Sequence, residues 1–188
     1  MLTAKKQIFT IILLLLVASI LLSCEKSNSN NDPKTIEDLL IKDKEIIGWT
    51  YFGAGWVAYN ITEIMKQIDG AIVVYQRYSN DIEAAYQAYD GTVNNTRCQL
   101  RLYIYDMGDS AYAKGVYNDP DIGLSGAIDW QGGAGTAAHY VRNNGLSQML
   151  SFYNKSYFVL LDIGVDTEES LNILKQFALN VDGKIRFP

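Results

Sequence analysis

Residues 97–108 read Arg-Cys-Gln-Leu-Arg-Leu-Tyr-Ile-Tyr-Asp-Met-Gly, and residues 157–164 read Tyr-Phe-Val-Leu-Leu-Asp-Ile-Gly. Each is an apolar or alternating run of strand length that ends in Asp, an apolar residue and Gly, and each leads into a helical pattern. The first of those helices is expected over residues 110–117. The second is expected from Asp166, with Glu169 as capping partner and Leu171, Leu174, Phe177 and Val181 as its apolar stripe. Each strand also has a partner upstream. Residues 82–89 precede the first across a loop at 90–95, and residues 146–152 precede the second across a tight turn at Asn154-Lys155. Two β-β-α units contributing to one mainly antiparallel sheet, with helices packed on one face, is the α+β fold this pattern predicts.

Upstream of these units the signals are mixed. A short charged helix is expected over residues 35–46, with Ile36, Leu39, Leu40 and Ile46 as its stripe. Residues 48–52 read as an extended stretch that Gly53 and Gly55 then break. The strongest helical pattern begins at the Asn60/Glu63 capping pair and carries Ile61, Ile64, Met65, Ile68, Ile72 and Tyr75 towards Tyr78. Gly70 interrupts it, at about 1 kcal/mol relative to alanine in a helix interior.

The first 34 residues belong to a different category. Lys5 and Lys6 precede an apolar run from Ile8 to Leu22, too short for a comfortable membrane span, and the run closes on Leu21-Leu22-Ser23-Cys24. An aliphatic residue, a variable one, a small one and then cysteine form the lipobox pattern of bacterial lipoproteins. The small side chain admits a peptidase, and the thiol accepts diacylglycerol. Residues 1–23 are therefore expected to be a lipoprotein signal peptide, with Cys24 the lipidated residue that holds the protein to a membrane of the bacterial cell envelope. Residues 24–34, polar throughout, are expected to form a flexible tether. Residues 35–188 are expected to form a single domain.

Charge and cysteine content narrow the function classes. Without Lys5 and Lys6 the 16 basic residues become 14 against 21 acidic ones, a net charge of −7. Such a surface is a poor match for nucleic acid, which rewards basic patches. Once Cys24 carries lipid, Cys98 is the remaining thiol, so no internal disulfide is expected.

Motifs for metal or cofactor chemistry are weak, and neither is expected. His139 is the single histidine; metal sites and Ser-His-Asp devices need supporting partners, so it reads as a surface residue. Gln131-Gly132-Gly133-Ala134-Gly135-Thr136 lacks the Gly-Lys-Ser/Thr ending of a phosphate loop and reads as a flexible loop. Asn118-Asp119-Pro120-Asp121-Ile122-Gly123 has oxygens at calcium-loop spacing without the distal Glu, and reads as a helix-ending turn. Asp69, Asp106 and Asp162 sit in or beside apolar runs. Asp106 and Asp162, each before an apolar residue and Gly, are expected to accept hydrogen bonds from the following turn.

One surface stands out. With Leu100, Leu102 and Ile104 on one side of their strand, Arg101, Tyr103 and Tyr105 form a stripe on the other, which Tyr89 and Gln87 on the partner strand are expected to extend. Exposed Tyr and Arg are enriched at binding surfaces. The expected function is non-catalytic binding of a protein, glycan or other ligand. The alternative is a hydrolase of envelope polymers that uses paired carboxylates.

Gly48-Trp49, Ile68-Asp69-Gly70-Ala71 with Tyr75, Ile104-Tyr105-Asp106-Met107-Gly108 with Ala113 and Gly115-Val116-Tyr117, an aromatic hairpin over residues 151–161 and a C-terminal helix carry a resemblance. On these marks residues 48–185 resemble an uncharacterised domain family of predicted secreted and lipid-anchored bacterial proteins. The Asp-Met-Gly segment is the most specific mark, and Val116 is a mild departure, since a larger residue tends to follow the helix glycine. The resemblance implies an α+β fold and an envelope location. It brings no activity, substrate or catalytic residue.

Overall fold

The computed structural model describes residues 35–187 apart from Asp69 and Gly123. The segments expected to be signal peptide and tether, Cys24 among them, and the acid at position 69 lie outside the described residues. Seven strands form one sheet: β1 (Thr50–Ala58), β2 (Glu83–Val93), β3 (Thr96–Asp106), β4 (Ile128–Asp129), β5 (Ala137–Arg142), β6 (Gln148–Asn154) and β7 (Tyr157–Ile163), in the order β1-β2-β3-β7-β6-β5-β4. Every neighbouring pair is antiparallel. Among the described residues four α-helices accompany them: α1 (Ile61–Met65), α2 (Ile72–Gln76), α3 (Ser110–Tyr117) and α4 (Glu168–Arg186). The α+β class and the mainly antiparallel sheet are as the sequence predicts.

The two central hairpins follow from the alternation. β2 and β3 turn at Asn94 and Asn95, both with positive φ (48° and 62°), a conformation asparagine tolerates better than most residues. The expected loop at 90–95 is therefore a two-residue turn, and both strands run longer than expected. Leu100, Leu102 and Ile104 of β3 and Val159, Leu161 and Ile163 of β7 fill one face, packed by Leu174, Phe177, Ala178 and Val181 of α4. The α4 start lies one residue beyond the expected cap: Thr167 is the N-cap and Ser170 closes the capping box.

Helices cover both faces of the sheet rather than one. Ala84, Tyr105 and Phe158 point to the second face, where Ile64 of α1, Ile72 and Tyr75 of α2, and Ala113 and Val116 of α3 cover them. A sheet that carries bulky apolar side chains on both sides needs a layer on each. This ends the repeat at its hairpins. Because β3 and β7 are antiparallel neighbours, a two-fold axis relating the hairpins stands perpendicular to the sheet and keeps each side chain on its own face. Yet α3 packs on one face and α4 on the other.

Three local expectations change. The expected helix at 35–46 is a single 3-10 turn, Ile36–Leu39. The buried residues of the segment are Ile36, Leu39, Ile41, Ile46 and Trp49, a spacing no single helix face provides. Lys184 of α4 fastens the segment by donating to the Leu40 carbonyl (2.7 Å) and pairing with Glu45 (2.8 Å). The long helix expected from Asn60 is divided into α1 and α2, with Gly70 between them at φ +73°. The extended stretch expected to stop at Gly53 continues to Ala58. Its register shifts between Phe52 and Trp56, and Gly53 (φ +66°) and Gly55 take up the bulge. At Gly55 a Cβ would lie 2.3 Å from the Gln87 side chain and 2.5 Å from the Tyr86 carbonyl oxygen.

A candidate ligand-binding face

Register decides where each expected site residue lies. In the β2–β3 hairpin Tyr89 stands opposite Leu100 and Gln87 opposite Leu102, on the face that α4 covers. Tyr89 is a core residue: its ring meets Phe177 edge-on at 5.1 Å, and its hydroxyl donates to the Ile41 carbonyl at 2.7 Å. Gln87 is buried too, its amide donating to the Ala88 carbonyl. Neither extends the stripe. The neighbour of Tyr103 on β2 is Tyr86, which the sequence reading did not single out.

The stripe itself divides. Tyr105 is 3% exposed beneath α2, stacked on Tyr75 with ring centroids 4.2 Å apart. Tyr103 is half-buried. The Arg101 side chain is 53% exposed and pairs with Asp162 on β7, Nε and Nη2 each 2.8 Å from Oδ1. This pair corrects the expectation for Asp162, whose carboxylate takes Arg101 rather than a turn N–H. Asp106 does behave as expected and accepts from the Gly108 N–H at 2.9 Å.

Arg101, Tyr103, Leu160 and Asp162 form the floor of a cavity of about 390 Å³ on the second face. Tyr75 and Tyr105 close one end. Gln67, Ile68 and Ala71, from the connection between α1 and α2, stand at the rim. Tyr86 packs against the Tyr103 ring with centroids 4.7 Å apart, and Trp56 stacks in turn on Tyr86 at 5.7 Å. Burial pushes the Asp162 carboxyl above its ordinary value, and the Arg101 pair offsets only part of this. Burial likewise raises the Tyr103 hydroxyl, which stays protonated at neutral pH as a hydrogen-bond donor.

The same cross-strand row runs Trp56, Tyr86, Tyr103, Leu160, Ser151, His139 and Asp129 across all seven strands. Its far end corrects the reading of His139 as a surface residue. The imidazole is half-buried, stacked on Tyr117 at 4.2 Å, with Nε2 enclosed and without a hydrogen-bond partner. Burial lowers its pKa, and Asp129 opposes that shift.

The remaining motifs take structural roles. The Gln131–Thr136 loop joins two strands, β4 and β5, whereas a phosphate loop joins a strand to a helix N-terminus. Residues 118–122 end α3 as a turn. Asp119 accepts from the Asp121 N–H (2.8 Å) and from the Tyr78 hydroxyl (2.9 Å), and Arg77 neutralises it. Among the described residues no group of three or more His, Cys, Asp or Glu side chains is placed to hold a metal ion. No protein-family model, curated protein or solved structure matches the chain.

Proposed function

We propose that this protein is a cell-envelope lipoprotein, anchored through lipid on Cys24, that binds a ligand without catalysis in the cavity of the second face. One observation carries the binding reading. Arg101 and Tyr103 stay open to solvent in a concavity beside Asp162, a largely buried carboxyl group paired with Arg101. Convergent polar groups in an otherwise apolar pocket are the usual marks of a ligand site, and the volume falls within the ~300–1,000 Å³ of such sites. The lipobox and the resemblance of residues 48–185 to secreted and lipid-anchored proteins support the envelope location. Binding is preferred to hydrolysis by paired carboxylates, which needs two acids facing each other across the substrate. Asp162 is the one acid among the described residues lining the cavity, and it is tied to Arg101. Asp106 lies on the opposite face, across from Tyr157.

A photo-crosslinking residue introduced at the rim, Gln67→p-benzoylphenylalanine, tests this in cells. A discrete adduct is expected on irradiation, where the same substitution at the exposed Leu146 gives none. Identical products from the two positions, or no product from position 67, would refute the reading.

A further inference from the structure

We infer that the ligand of this cavity is a neutral sugar, held by its hydroxyl edge on Arg101 and Asp162 and by its C–H face on Tyr103. The inference rests on the binding reading above and names the ligand class. Charge is the first ground. Among the described residues the cavity holds one guanidinium and one carboxylate, paired at 2.8 Å, and these two charges cancel. The pair still leaves bonding capacity. Arg101 spends Nε and Nη2 on the single oxygen Oδ1, which leaves the remaining N–H groups of the guanidinium as donors and Oδ2 as an acceptor. A ligand matched to this pair both accepts and donates, as hydroxyl groups do. Gln67 and Tyr103, also at this cavity, add neutral hydrogen-bonding groups of the same kind.

The second ground is the apolar surface. The Tyr103 ring and its cross-strand neighbour Leu160 give the cavity apolar surface next to the polar pair. A pyranose ring has this division, with an apolar C–H face and a rim of hydroxyls. The third ground excludes the main competitor. An extended peptide gains most of its affinity by adding to a free sheet edge. Here β3 is paired on both sides, by β2 and β7, and has no main-chain groups to offer.

The test uses the full chain in a sugar-free detergent. Methyl α-D-glucopyranoside, methyl α-D-mannopyranoside, methyl β-D-galactopyranoside and N-acetylglucosamine are the neutral probes, with glucuronate and glucosamine as charged ones. Ligand-observed saturation-transfer NMR should detect at least one neutral pyranoside. Asp162→Asn should weaken it about tenfold or more, since a hydrogen bond to a charged group is worth roughly that factor. Tyr103→Ala should weaken it several-fold, and Leu146→Ala should not change it; thermal melts of each variant exclude unfolding as the cause. Absence of transfer to every neutral probe overturns the sugar assignment. So does tighter binding of glucuronate or glucosamine than of the neutral sugars, or binding that neither cavity variant weakens. A discrete adduct at position 67 without sugar binding removes the sugar and leaves the binding reading standing, whereas loss of both removes both.

Discussion

Replacing Tyr105 by alanine separates two neighbours that the sequence places on one stripe. The substitution removes a ring that is 3% exposed, stacked on Tyr75 at 4.2 Å and on Phe158 at 6.2 Å. Truncating a buried aromatic residue to alanine costs about 3–5 kcal/mol. The buried Tyr75 ring loses its stacking partner as well. The loss should therefore reach the upper end of the range, about 5 kcal/mol. In a domain of this size each kcal/mol shifts the melting temperature by about 2–4 °C, so a drop of about 10–20 °C is expected. Tyr103, half-buried and packed chiefly against Tyr86, should lose only about 1 kcal/mol on the same change. Urea unfolding followed by circular dichroism measures both. Tyr105→Phe, which keeps the ring and removes only the hydroxyl, should lose no more than about 1–2 kcal/mol and supplies a value if the alanine variant does not fold. Equal midpoints for Tyr103→Ala and Tyr105→Ala would refute the assignment of Tyr105 to the core.

Cys24→Ala should abolish incorporation of labelled palmitate; label on the mutant, or none on the wild type, would remove the lipid anchor from the proposal. Asp162→Asn should melt at or above the wild-type temperature at neutral pH. The folded pKa of Asp162 is raised above its unfolded value, so its contribution to stability is fullest in acid and is lost as pH rises through the folded pKa, and the variant's advantage should shrink on acidification. His139 carries the opposite sign. Its folded pKa lies below the unfolded 6.5, so the unfolded chain takes up the proton first, and stability is lost as pH falls from about 6.5 through the folded value. His139→Phe should flatten that part of the melting profile, and a profile unchanged by the substitution would contradict the enclosed imidazole.

The central hairpins were legible because alternation is a direct print of the pleat. Leu100, Leu102 and Ile104 could only share a face. The position of Tyr89 was legible too, by an argument the alternation alone does not supply. An antiparallel hairpin with an even number of turn residues sets odd positions of one strand beside even positions of the other. With Asn94-Asn95 as the turn, Tyr89 falls beside Leu100 and Tyr86 beside Tyr103. The Arg101–Asp162 pair was beyond reach because it depends on β3 meeting β7, a contact between residues 61 positions apart that no local pattern encodes. The coverage of Tyr105 depends likewise on where α2 docks. The division of the helix at Gly70 was visible as a weak point, but the left-handed backbone there comes from packing Ile64 and Ile72 onto one core. The short strands β4 and β5 carry no clean alternation, and His139 was misread as surface with them.

The latch between residues 36–49 and α4 has a consequence for the order in which the molecule is made. Ile36, Leu39, Ile41, Ile46 and Trp49 are among the first residues of the domain to be synthesised, and the partners that bury them include Leu174, Phe177, Ala178 and Val181, which come last. The Leu40 carbonyl and Glu45 likewise await Lys184. Until α4 is complete, the face built by β3 and β7 has no cover, and the N-terminal segment has nowhere to dock. The last helix of the domain must therefore be made before its main core can close. On the envelope reading proposed above, this would leave the chain unfolded for the interval in which a polypeptide can be threaded through a membrane pore.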